Sequence, residues 1–203
     1  MTVKIKKILI PVVFLVATVF AFGQNFKTEG GSLEAISGLL RYNVIFEYSD
    51  DLKIPKHASE TSFLEDYAKK EDKKESGKGE LFKQRWISYR ADLFEPKFIQ
   101  EFNYFNLKEK QITIAPNISN ANYTMVVRTT SIDPGNSNFF FKKDAWLKVF
   151  IRIYKTEDPA TVLYSTGGID VHSKGANSDI FDRIMSAYAE LGRGLAKHLS
   201  RKT

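Results

Sequence analysis

Asp170 and His172 stand two residues apart in the run Ile169-Asp-Val-His172. On a strand, residues i and i+2 point to one side, so a carboxylate and an imidazole would share a face there. Zinc needs at least three protein ligands and groups that orient them. The other two histidines, His57 and His198, have no companions at ligand spacing. The pair therefore reads as an exposed polar face, and no metal is expected. Nucleophilic catalysis has less to build on: there is no cysteine and no Gly-x-Ser-x-Gly elbow. Gly77-Lys-Gly79 and Gly192-Arg-Gly194 lack the strand–loop–helix setting and the spacing of a phosphate-binding loop. No catalytic residue and no cofactor is assigned. An enzyme is disfavoured rather than excluded, because paired carboxylates do their work at a spatial separation that sequence spacing does not reveal.

Two groups of residues suit binding better. Trp146, Lys148, Phe150, Arg152 and Tyr154 alternate aromatic and cation at a spacing of two. On a strand they form one face, able to stack on a sugar or base or to hold an anion. The intervening Ala145, Leu147, Val149, Ile151 and Ile153 are apolar as well. With both sides apolar, the favoured expectation is that helices cover this face, the Lys and Arg stems reaching to its rim. The second group is Phe139-Phe140-Phe141, followed by Lys142-Lys143 and preceded by a turn. Three phenylalanines beside two lysines suit a membrane or partner surface; the favoured expectation is that some fold back as strand.

The elements that must position these residues follow from periodicity. Tyr42, Val44, Phe46 and Tyr48 alternate with Asn43, Ile45 and Glu47, which predicts a strand over 42–48. Ser62-Phe-Leu-Glu65 has the form of a capping box, so a charged helix is expected from about there. A longer helix is expected from Glu80, with Phe82, Trp86, Tyr89 and Leu93 buried, and a kink or fresh start at Pro96. Phe98, Phe102 and Phe105 continue its stripe. Short strands are expected at 112–115 and 122–132, then the long strand 145–154, and a hairpin return at 161–165. A bend at Gly167-Gly168 leads into Ile169 and Val171. A helix over about 178–199 is capped by Asn177 or Ser178, and its Gly192 and Gly194 are expected to let it approach a sheet closely. The first strand and the later ones are separated by helices, so it should run parallel to a neighbour. The fold class is α+β: a mixed, largely antiparallel sheet of about five strands packed against two to three helices.

The ends suggest a compartment. Lys4, Lys6 and Lys7 precede an apolar run from Ile8 to Phe22, too short to span a bilayer, and Ala21-Phe-Gly23 offers small residues at −3 and −1. The reading is a signal peptide over 1–23 cut before Gln24, then one domain over 24–203, with residues 24–31 a flexible lead. Export without a single cysteine leaves the core alone to hold the fold, and favours a bacterial periplasm or secreted location over a eukaryotic one. The chain carries +6, with 30 basic and 24 acidic residues; without the three leader lysines it carries about +3. That is no nucleic-acid footprint.

Tyr42-Asn-Val-Ile-Phe-Glu-Tyr48, Pro96-Lys-Phe98, Tyr123-Thr-Met-Val-Val-Arg-Thr129 and Tyr188-Ala-Glu-Leu-Gly192 resemble a family of secreted envelope proteins of Gram-negative bacteria. The element order is similar to the TolB amino-terminal-domain-like fold, used by curli-secretion lipoproteins and by outer-membrane activators of penicillin-binding proteins. The resemblance spans most of residues 32–200 and implies a non-enzymatic envelope binding or structural module. It carries no catalytic residues across, and this chain lacks the acylated cysteine of those lipoproteins. The implied partners are proteins or glycans of the cell envelope, with no nucleic acid. A carboxylate-dependent hydrolase of envelope polymers and a peripheral membrane-surface protein are the alternatives.

Overall fold

The computed structural model describes residues 24–109, 112–137, 142–174 and 179–200. The leader 1–23, the Phe139–Phe141 group and the proposed caps Asn177 and Ser178 lie outside the described residues. The strands are β1 (Thr28–Gly31), β2 (Arg41–Lys53), β3 (Thr113–Ala115), β4 (Tyr123–Asp133), β5 (Asn136–Ser137), β6 (Lys142–Lys143), β7 (Trp146–Lys155), β8 (Asp158–Thr166) and β9 (Ile169–His172). The helices are α1 (Glu60–Asp72), α2 (Lys78–Tyr89), α3 (Glu95–Glu109) and α4 (Ile180–Ser200). The class is α+β. Seven strands form one sheet in the order β1-β8-β7-β4-β2-β3, with β9 beside β7; β5 and β6 form a separate ribbon. β2 runs parallel to β3 and β4, as its helical crossover requires, and the remaining pairs are antiparallel.

Two strands beyond the expected five come from glycine. Residues 28–31 are an edge strand on β8, not a flexible lead. Gly31 adopts φ +64°, and a Cβ there would lie 1.9 Å from the Leu163 carbonyl oxygen, so only glycine admits this approach. At Gly167-Gly168 the return strand breaks into β8 and β9, which pair with the two halves of β7 in turn. The Thr166 hydroxyl accepts from the Ile151 N–H at 3.0 Å across this break.

The helices lie on the face of the sheet that carries Tyr42, Val44, Met125, Val127, Leu147, Val149, Ile151 and Ile153, each at most 2% exposed. Phe46 meets Phe98 edge-on, and Tyr188 of α4 stacks on Phe94 and shares a 2.8 Å hydrogen bond with Thr129. α1 packs on α2 through Phe63, Phe82 and Trp86. Glu60, the first residue of α1, accepts from Trp86 Nε1 and Arg90.

Three details correct the sequence reading. The capping box is Ser59 with Ser62, whose side chains and backbone N–H groups pair reciprocally, so α1 starts earlier than a Ser62–Glu65 box implies. Between α2 and α3 the chain makes a π turn over Arg90–Phe94, just before Pro96. The extra residue absorbs the proline and moves Phe94, rather than Leu93, into the core at 1% exposure. In α4, Gly192 meets α3 and not the sheet: a Cβ would sit 2.5 Å from the Phe98 carbonyl oxygen. Gly194 faces Gln24 of the lead. Asp179 caps α4, accepting from the N–H groups of Phe181 and Asp182. No helix among the described residues is long and apolar enough to cross a membrane.

Candidate functional site

Helices cover one face of the sheet, and no described element is layered over the other. Trp146, Lys148, Phe150, Arg152 and Tyr154 project from β7 onto this open face. The expectation that helices bury them is corrected. The apolar residues at 147, 149, 151 and 153 alone make the helix-facing core, and the aromatic–cation row is half-buried by neighbouring strands, with Arg152 exposed. Register brings specific partners beside each member. Glu47, Arg128 and Phe150 form one row across β2, β4 and β7. Ile45, Val126, Arg152 and Ser165 form the next, then Asn43, Thr124, Tyr154 and Val162. In the other direction Lys148 faces Asp170, and Trp146 faces His172. Ile45 and Val162 are 39% and 36% exposed.

Glu47, Arg128 and Phe150, with Val126, Arg152 and Ser165 of the next row and Trp146 and Lys148, line a trough of about 1000 Å³, the upper end of the ~300–1,000 Å³ usual for ligand pockets. Its walls include Glu29, Glu47, Asp51, Lys53, Arg128, Trp146, Lys148, Phe150, Arg152 and Ser165. The floor depends on Gly168: a Cβ there would lie 2.9 Å from Lys148 Cε and 3.3 Å from Phe150 Cζ. Glycine at the bend thus leaves room for the two side chains at the centre of the row.

The charges are interleaved. Lys53 pairs with Asp51 at 3.2 Å and Lys148 with Asp170 at 3.8 Å. The Ser49 hydroxyl, donating at 2.6 Å, and the Lys53 ammonium hold the Asp51 carboxyl below its ordinary range. Arg152 lies 5.2 Å from the Tyr154 ring centroid, a cation–π contact. Among the described residues neither Arg128 nor Arg152 has a carboxylate within ion-pair distance, and neither do Glu29 and Glu47 have a cation. The face therefore offers two guanidinium forks and two carboxylates, planar groups that donate and accept respectively, around three aromatic rings.

Asp170 and His172 do share an exposed face, as their spacing implies. No third ligand joins them: no group of three His, Cys, Asp or Glu among the described residues is placed to hold a metal. His57 pairs with Asp66 at 3.3 Å, and His198 meets the Tyr164 hydroxyl at 2.9 Å and stacks on Phe26. The β7 row was legible in the sequence. Glu47 and Arg128 were visible only as outward positions of their strands, and nothing local placed them beside Phe150. Glu29 came from a segment read as lead.

No protein-family model and no curated protein matches the chain. Among solved structures, it is similar to PelC from Paraburkholderia phytofirmans, in its dodecameric form, with 10% identity and a TM-score of 0.42 over 89% of this chain and 99% of that one. It is also similar to protein XCC0632 from Xanthomonas campestris, of the DUF330 family, with 10% identity and a TM-score of 0.38 over 79% of this chain and 85% of that one. Neither likeness shows a TolB-like fold. Both likenesses are too loose to carry a function, a partner or an assembly state to this chain.

Proposed function

We propose that the protein is a non-enzymatic binding module of the bacterial cell envelope, exported by its leader, and that the open sheet face is its working surface. One observation carries the reading: among the described residues a seven-stranded sheet is covered by helices on one side, and its other side holds Trp146 and Phe150 between cations in a trough of about 1000 Å³, with Tyr154 further along the same strand. Half-buried aromatics beside free guanidinium and carboxylate groups suit recognition, because they are held by the sheet yet reachable by a partner. The envelope setting is supported by the leader, the absence of cysteine and the sequence resemblance described above.

The test uses the full chain expressed in a Gram-negative host. Osmotic-shock fractions should contain the protein, and the purified protein should co-sediment with isolated envelope material. Replacing Trp146 and Phe150 together by Ala should abolish co-sedimentation while the far-UV circular dichroism stays unchanged. Cytosolic retention, or undiminished co-sedimentation of the double variant, would refute the proposal.

A further inference from the structure

Resting on the reading of the open face as a binding surface, we infer that its ligand is a linear, hydroxyl-rich glycan of little or no net charge, lying along β7. Trp146, Phe150 and Tyr154 are four residues apart on one antiparallel strand. At a rise of about 3.4 Å per residue the rings are spaced by about 13–14 Å and span about 27 Å. Such a row selects an extended chain rather than a compact molecule, and its rings suit the apolar C–H faces of sugars two to three residues apart along that chain. Phe150, the central ring, has Arg128 and then Glu47 beside it in register. A sugar over Phe150 would meet a donor fork and an acceptor carboxylate on the same side, which matches hydroxyl groups, each both donor and acceptor. Ser165 and Arg152 repeat the provision one row on.

Charge decides against a polyanion. Lys53, Arg128, Lys148 and Arg152 contribute four cations to the trough; Glu29, Glu47 and Asp51 contribute three carboxylates, and Asp170 beside Lys148 makes a fourth. Single-stranded nucleic acid also stacks on aromatic rows, but it needs a positive track along its phosphates. Here Asp51 neutralises Lys53, Asp170 neutralises Lys148, and Glu47 stands next to Arg128. An acidic polysaccharide meets the same carboxylates.

The experiment is native affinity electrophoresis of the purified full chain. The gels contain a neutral polysaccharide (hydroxyethylcellulose, galactomannan, soluble starch or dextran) or an acidic one (polygalacturonate or alginate). Binding to a fluorescent oligothymidylate is measured in parallel. At least one neutral polymer should retard the protein, with little dependence on salt. Trp146→Ala and Phe150→Ala should each weaken retardation about tenfold or more, a loss of about 1.4 kcal/mol. Ile87→Ala, on the exposed side of α2 at 52% exposure, should leave it unchanged. Retardation by none of the neutral polymers overturns the inference. So does binding confined to the acidic polymers or the oligonucleotide and lost at high salt. If either result comes with envelope co-sedimentation that still needs Trp146 and Phe150, the binding-module reading stands and only the ligand class is wrong.

Discussion

Phe150 and Ile151 are adjacent in the chain and face opposite sides of one strand, so replacing each by Ala tests the one-sided sheet directly. Ile151 is 1% exposed and sits in the helix-covered core. Truncating a buried isoleucine to Ala costs about 2–5 kcal/mol, the transfer term plus the cavity left behind. In a chain of this size each kcal/mol moves Tm by about 2–4 °C, so Ile151→Ala should lower it by about 4–20 °C. Phe150 is half-buried on the open face, and solvent fills the space its ring leaves. Full burial of a phenylalanine is worth about 1.5–3 kcal/mol, so a half-buried ring with no cavity behind it should cost about 1 kcal/mol, or about 2–4 °C. If helices covered both faces, Phe150→Ala would instead cost about 3–5 kcal/mol and match or exceed its neighbour. Thermal unfolding followed by circular dichroism distinguishes the cases. Equal losses for the two variants would mean that the trough is filled, and the binding proposal would fall with it.

Three further variants probe the frame behind that face. Burial pushes the Tyr188 hydroxyl up to about 12, so it stays protonated and paired with Thr129; Tyr188→Phe leaves the buried Thr129 hydroxyl without that partner and should cost about 1–3 kcal/mol in urea unfolding. Gly192→Ala, stabilising by up to about 1 kcal/mol in an ordinary helix, should here destabilise by about 1–3 kcal/mol, because the added Cβ meets the Phe98 carbonyl oxygen at 2.5 Å; a rise in Tm would show that α3 and α4 are not so closely packed. Burial raises the Glu101 pKa, but Lys97 at 2.8 Å and Arg193 at 2.6 Å more than offset it and hold it low. A lowered folded-state value gives stability that is present above the ordinary glutamate range and lost as pH falls through the folded value, so wild type should lose more stability than Glu101→Gln as the pH is taken down through and below that range. Parallel pH profiles of Tm for the two proteins would refute that contribution.

Much of the frame was readable from spacing alone because its strands and its last helix carry their own pattern. β2, β4 and β7 alternate, and α4 repeats Phe181, Ile184, Tyr188, Leu191 and Leu195 at three and four, all buried as expected. What escaped depends on neighbours distant in sequence. Gly30-Gly31 looks like a linker until Leu163 and Tyr164 lie against it. Phe82, Trp86, Phe94, Phe98 and Phe102 are the fully packed positions, and the step of eight from Trp86 to Phe94 spans the π turn. A regular helix template assigns Leu93 there instead, because it assumes about 3.6 residues in every turn.

The same distinction governs the site. A strand whose two faces are both apolar is compatible with burial between layers or with one covered and one working face, and periodicity does not separate them. What separates them is how many helices exist and where they go. The crossover from β2 to β4 and the return after β9 deliver the four described helices to the Leu147–Ile153 side, with α3 packed on α4 through Gly192 rather than on the opposite face. Cross-strand rows add the second half of the site. Glu47 and Arg128 reach Phe150 only through parallel pairing of β2 with β4, and Lys148 reaches Asp170 only because the chain bends at Gly167-Gly168. Residues from four strands thus gain one chemistry, donors and acceptors around a ring row, that none holds alone. On the glycan proposal, the balance of charge within those rows, and not the basic character of the whole chain, sets which polymer the face would hold.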